Sequence, residues 1–213
     1  MNNNFQKEKF FDLSTFEYKD IFNEINFVWE VLPKIKDYIE MQFKSGSLKP
    51  NYKEANDVYV GEGTVIGEGA TIEGPAIIGK YTLIGHGSFV RSNCIIGKNV
   101  QLGHAVETKG SIFLNDSKAA HLNYVGDSII GNKVNISGGT ILANYRLDRK
   151  AVMVSDGENK IETGLEKFSS IIGDGSNIGV SVVLNPGTIL GKNTIVYPLI
   201  SVKGVHKDNE IIK

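Results

Sequence analysis

The sequence predicts a mainly β protein, a parallel β-helix built from six-residue repeats, with a short helical segment at its N-terminus. Three observations carry that prediction. Val60, Ile66, Ile72, Ile78, Ile84, Val90, Ile96 and Leu102 stand at strict six-residue intervals, most of them followed directly by Gly. The same period returns in another phase at Ile130, Ile136, Leu142, Ile172, Ile178, Leu184, Leu190, Val196 and Val202. Residues 1 to about 50 lack it altogether and space their apolar residues as a helix does. A period of six belongs to neither an α-helix nor a flat strand; it is the mark of short strands and tight turns winding a prism whose inward aliphatic residues stack coil on coil.

The N-terminal segment comes first. Ser14-Thr15-Phe16-Glu17 has the form of a capping box, and Ile21, Phe22, Ile25, Val28, Trp29 and Leu32 follow at the spacing of one helical face. Pro33 then opens a second expected helix through Ile35, Tyr38 and Ile39, since proline is tolerated in a first turn. Helices this short are marginal alone, so the segment is expected to lie against something larger as a packing or capping element.

Residues 51–213 form the repeat region. The position two before each inward aliphatic is small or β-branched, as at Thr64, Ala70, Ala76, Thr82, Ser88 and Cys94, and Gly is expected to supply turn conformations that a side chain would obstruct. The change of phase lies between Leu114 and Ile130, which predicts that HLNYVGD, residues 121–127, is a bulge or an extra loop. Irregular backbone on a rigid scaffold is a favoured place for chemistry. A second interruption at about 146–168, with RLDRK at its start and DGENK in its middle, reads as an excursion from the prism.

Whole-chain properties restrict the partner. The chain has 213 residues, 41% hydrophobic and 22% charged, an ordinary composition for a soluble protein, with a formal net charge of -1. That charge supplies no bulk field for nucleic acid or an anionic membrane, so any anion recognition is expected to be local and the partner small. The single cysteine, Cys94, can form neither an internal disulfide nor a cysteine-rich metal site, and it occupies a small-residue slot of the repeat. MNNNFQKEKFF lacks the apolar core of a signal peptide, and no apolar run approaches a membrane span. The expected location is cytoplasmic.

In a three-sided prism three hexads make one coil, so residues 18 apart stack at about 4.8 Å. Arg91 and Lys109 are such a pair. Two cations at 4 Å repel by about 1 kcal/mol in bulk water and about 4 kcal/mol at an effective dielectric of 20, which an anion between them would remove and which splaying into water would also relieve. His86 and His104 are a second pair. Together with His121 they invite comparison with the three-histidine zinc site of the γ-class carbonic anhydrases, but His121 is expected on a different row and no metal is predicted. Tyr124, Asn135, Asn144 and Tyr145 complete the polar residues around the phase change, where Asn is also a common turn residue.

HLNYVGDSIIGNKVNISGGTILANY, with VRSN around Arg91 and VETKG around Lys109, resembles the acetyltransferase domain of the bacterial bifunctional N-acetylglucosamine-1-phosphate uridyltransferase/glucosamine-1-phosphate acetyltransferase family. The resemblance covers most of residues 58–205. It implies a left-handed β-helix, a homotrimer with active sites between subunits, and acetyl-CoA as acyl donor. It also implies His121 as general base, Arg91, Lys109, Tyr124 and Asn135 as ligands of a sugar phosphate, and Asn144, Tyr145 and Gly138 at the acyl donor. A further lysine ligand is Lys150 by direct count, or Lys167 if KFSSIIGD is aligned after the excursion, and Lys167 is preferred. KIETGLEKFSSIIGD is more similar to the archaeal-type sugar-1-phosphate nucleotidylyltransferases, which carry a comparable C-terminal prism.

The expected activity is therefore CoA-dependent N-acylation of an amino-sugar phosphate, such as glucosamine 1-phosphate, or of a nucleotide sugar. An imidazole takes the amine's proton, backbone N–H groups near Ser137-Gly138-Gly139 or Asn144 meet the oxyanion, and the thioester needs no metal. Nucleotidyl transfer is not expected from a chain of this length, which lacks the Gly-rich Gly-Thr-Arg loop. The competing expectation is a non-catalytic prism that binds a nucleotide sugar or scaffolds a separate nucleotidyltransferase.

Overall fold

The computed structural model describes residues 3–155 and 160–213. Most of DGENK, residues 156–159, therefore lies outside the described residues. Three parallel sheets of eight, eight and seven short strands run side by side along the chain, and successive strands fall on successive sheets, so the backbone winds a three-sided parallel β-helix of about eight turns. The first face begins with Val58–Val60, Ala76–Ile78 and Cys94–Ile96, the second with Val65–Ile66 and Leu83–Ile84, the third with Thr71–Ile72 and Phe89–Val90.

The two phases of the repeat form one core. Ile78, Ile84, Val90, Ile96 and Leu102 pack with Ile130, Ile136, Leu142, Ile172 and Leu190 in a single buried column. The small residues that precede them line the corners. Their hydroxyls tie one coil to the next: Thr64 Oγ1 donates to the Gly79 carbonyl at 2.6 Å and accepts from the Thr82 N–H at 3.1 Å, and Thr82 repeats the arrangement with Gly97 and Val100. Cys94 is fully buried in the same column, and that burial pushes its thiol up to about 11.

The glycines after the aliphatic positions serve a different purpose from the one expected. Gly61 and Gly67 do not have positive φ; a Cβ on either would sit 2.6 or 2.7 Å from the backbone nitrogen of Lys80 or His86 on the next coil. Close approach, not turn conformation, excludes a side chain there. The left-handed conformation falls two residues later and is held mostly by other residues, including Tyr81, Asn99, Ala105 and Leu122.

The phase change also differs from expectation. HLNYVGD carries no bulge and no extra loop: Ala119 and Val125 keep their six-residue spacing and pair normally with Leu102 and Thr108. Each of two corners has instead lost one residue. Phe113 follows Thr108, and Ile130 follows Val125, after five residues, with Phe113 paired to both Ile96 and Ile130. Leu114, in phase by count, consequently leaves the prism core and faces outward into a second apolar cluster.

That second cluster explains the N-terminal segment. The outward residues of the first face, Ile77, Ile95, Ile112, Ile129, Ile171 and Ile189, form an aliphatic stripe covered by Phe5, Phe16, Phe22, Trp29, Ile35 and Ile39. The first expected helix is absent as such. Ser14 does not cap one; its N–H donates to Asp12 at 2.9 Å, and the apolar run forms 3₁₀ turns at Lys19–Phe22 and Val28–Lys34. The second expected helix is present as the α-helix Ile35–Lys44, but Pro33 lies inside the 3₁₀ turn before it and does not open it. A short chain wrapped over a flat aliphatic face gains more from seating its rings than from continuous helical hydrogen bonding. No helix among the described residues is long and apolar enough to cross a membrane.

Candidate active site

The row of corners between the third and first faces builds a cleft. Arg91 follows Val90 and Lys109 follows Thr108, and since Val90 pairs with Thr108 the two cations are neighbours on adjacent coils. On the next two coils the same corner carries Asp127 and then Asn144. The chain leaves the prism after Ala143, forms the antiparallel pair Met153–Ser155 with Lys160–Glu162, and returns at Phe168, whose N–H donates to the Asn144 carbonyl at 3.0 Å. Tyr145 and Lys167 bridge across this neck. The result is a cleft of about 480 Å³ lined by Arg91, Lys109, Tyr124, Asn144, Tyr145, Glu166 and Lys167.

Each of the two cations is paired with a carboxylate of the chain. Arg91 Nη1 lies 3.0 Å from Glu107 Oε1 and its guanidinium lies 5.9 Å from the Phe89 ring centre. Lys109 Nζ lies 3.3 Å from Asp127 Oδ1. Asn144 Nδ2 donates to Asp127 Oδ2, and to the Tyr124 hydroxyl at 3.2 Å. Burial first, then the Asp127 carboxylate, raises the Tyr124 phenol above its ordinary pKa, so it is a hydrogen-bond donor at neutral pH.

Of the two lysines left open by the sequence, Lys167 is in the cleft and Lys150 is exposed on the excursion, where its N–H donates to Asp148. Phe168, next to Lys167, is fully buried, with its ring 6.3 Å from Trp29, so the N-terminal segment supports the cleft wall from below.

His121 stands elsewhere, at the exposed corner between the second and third faces. Contrary to expectation, it shares a row with the other two histidines, being paired in register with His104. The shortened corner before Phe113 moves it there: the coil from His104 to His121 has one residue fewer than the coil from His86 to His104. The His86 and His104 rings stack at 5.5 Å and 13°, and His104 Nδ1 donates to the His86 carbonyl at 3.0 Å. Among the described residues no group of three His, Cys, Asp or Glu side chains is arranged to hold a metal ion.

Gly138 is the next step of that row. A Cβ there would meet His121 Cδ2 at 3.0 Å, so glycine leaves the imidazole face open. Ser137 N–H donates to Ile178 and Gly139 N–H to His121, both at 3.0 Å, while the Gly138 N–H makes no hydrogen bond within the described residues. Asn135 is apart from both places, outward on the second face between Lys118 and Asn177.

Sequence reasoning missed Glu107, Asp127 and Glu166. Spacing gave no true signal for Asp127: the shortened coil pairs Lys109 with Gly126, and Asp127 follows at the corner.

Comparison with known proteins agrees with this architecture. A family profile described as "GMPPB C-terminal domain" matches residues 72–162. The bifunctional sugar-1-phosphate nucleotidylyltransferase/acetyltransferase of Sulfurisphaera tokodaii is 33% identical over 185 residues, covering 85% of this chain and 46% of that protein. The bifunctional protein GlmU of Methanococcus maripaludis (strain C7) is 43% identical over 182 residues, with 84% and 44% covered. The chain thus spans less than half the length of these curated relatives. YaiX of Escherichia coli K12, described as an uncharacterized acetyltransferase, is 32% identical, with 82% of each chain covered.

Proposed function

Because this chain belongs to the family of hexapeptide-repeat acetyltransferase-like proteins, we propose that it is an acyl-CoA-dependent N-acyltransferase whose acceptor is an amino sugar bearing a phosphate or nucleotide. The observation that carries the reading is the convergence of Arg91, Lys109, Tyr124, Asn144, Tyr145 and Lys167 on one cleft.

The chemistry assigns each place a part. The acceptor's free amine attacks the thioester carbonyl, its proton passes to His121, the C–S bond breaks and CoA leaves as the thiolate. A positioned imidazole contributes typically about 10²–10⁴-fold. The Gly138 N–H, beside the His121 ring and uncommitted to the coil, suits the developing oxyanion. Arg91, Lys109 and Lys167 suit the acceptor's phosphate, with Tyr124 as a neutral donor, while Asn144, Tyr145 and Gly138 meet the acyl donor.

Within one chain His121 lies at the opposite edge of the third face from the cleft, and Asn135 lies on the second. A homotrimer joining such edges between copies would bring both to a neighbour's cleft. In support, the first face is already covered, whereas the second and third faces and their shared corner expose Leu122, Ile141, Val180, Val183, Ile195 and Leu199. Closed symmetric association is the usual way to bury such faces.

The test is to mix the protein with acetyl-CoA and glucosamine 1-phosphate, or a nucleotide-linked amino sugar, and follow free thiol. Release above the hydrolytic background supports the reading. Tight sugar-phosphate binding without thiol release would replace it with a non-catalytic binding or scaffold role.

A further inference from the structure

The cleft contains its own anion. Arg91, Lys109 and Lys167 are matched by Glu166 in the lining and by Glu107 and Asp127 paired behind it, so the group as a whole has no formal net charge. The Lys109–Asp127 pair is the more shielded of its two ion pairs, with side chains 25% and 16% exposed against 38% and 40% for Arg91–Glu107. A ligand anion that engages Lys109 must therefore displace a carboxylate that water solvates poorly.

That carboxylate has little freedom to withdraw. Asp127 sits on the second shortened corner with φ 43°, its N–H donates to the Lys109 carbonyl at 2.8 Å, and its own carbonyl accepts from Ser169 at 3.0 Å. Its backbone is pinned on both sides, and Asn144 holds one oxygen. Once Lys109 turns to a ligand, the other oxygen needs a replacement donor, because a part-buried charge left without its partner is costly.

We infer that Asp127 is a specificity-determining residue: it occupies Lys109 until a dianion displaces it, and it then accepts a hydrogen bond from a hydroxyl or ammonium group of the same ligand. The inference rests on the phosphate-site reading of Arg91 and Lys109 and adds the second half of the recognition. A bare dianion satisfies Lys109 but leaves Asp127 unpaired. A phosphate monoester of a sugar satisfies both.

The experiment is titration calorimetry of wild type, Asp127→Asn and the Asp127→Asn/Lys109→Met double variant with two probes, sulfate, a dianion with no O–H donor, and glucosamine 1-phosphate. Asparagine tolerates the left-handed backbone at 127, and unchanged circular dichroism checks the fold. Asp127→Asn is expected to bind sulfate several-fold more tightly than wild type, with the preference for glucosamine 1-phosphate over sulfate reduced, and the double variant is expected to lose the gain. Equal or weaker sulfate binding by Asp127→Asn, with wild type still binding the sugar phosphate, would overturn the inference and leave Asp127 as a residue that only positions Lys109. Binding of neither probe by either protein would overturn the phosphate-site reading, and this inference with it.

Discussion

His121 stands in register with His104 on the neighbouring coil, and the position beyond it on the same row is Gly138. A Cβ at Gly138 would meet the imidazole edge at 3.0 Å, and among the described residues the Gly138 N–H makes no hydrogen bond. This is the arrangement a base needs if a thioester carbonyl is to approach it.

His121→Ala is expected to lower acyl transfer by a factor within about 10²–10⁴ while leaving assembly intact and acceptor affinity little changed, because the base acts on the reacting proton. Thiol release from acetyl-CoA, compared between wild type and mutant, reads the effect. Near-normal turnover of the mutant would make His121 an ordinary corner residue.

Arg91→Ala is expected to weaken sugar-phosphate binding, a charge-assisted hydrogen bond contributing about 1.5–3 kcal/mol. The effect should fall toward the lower end of that range, since in the free protein the guanidinium is already paired with Glu107. Binding of CoA should be unaffected. An equal loss for a phosphate-free amino sugar would show that Arg91 serves something other than the phosphate.

Trp29→Ala is expected to destabilise the protein by about 3–5 kcal/mol, the usual cost of removing a large buried ring. Trp29 is 1% exposed and stacks on Phe27 at 4.8 Å, with Phe5 and Phe168 against it. Because Phe168 adjoins Lys167, the surviving folded protein should also show a raised KM for the acceptor. Urea unfolding gives the first quantity and steady-state kinetics the second. A loss of stability with KM unchanged would separate the N-terminal segment from the cleft.

Light scattering at micromolar concentration should give three times the 23.3 kDa chain mass. A monomer would remove the shared site, since His121 and the cleft occupy opposite edges of one face.

Much of this was legible in the chain itself. A repeat of six with an inward aliphatic at one position is a local pattern, and burial selects for it at every coil, so the β-helix and its core could be read directly from Val60 to Val202. The cleft cations were legible for the same reason: Arg91 and Lys109 lie one regular coil apart. The N-terminal segment was legible as something that must pack, though not as 3₁₀ turns, because the aliphatic stripe that seats its rings is assembled from residues scattered between Ile77 and Ile189.

Only the tertiary structure decided the rest. Stacking depends on the number of residues in each coil, and that count changes at two corners whose positions a phase shift brackets without locating. One missing residue before Phe113 moves His121 onto the row of His86 and His104, and it also pairs Lys109 with Gly126, which leaves Asp127 at the cleft corner within reach of Lys109. A period is a property of neighbours in sequence, whereas register and charge pairing are properties of coils meeting in space. A single deletion changes every contact beyond it and leaves the period intact.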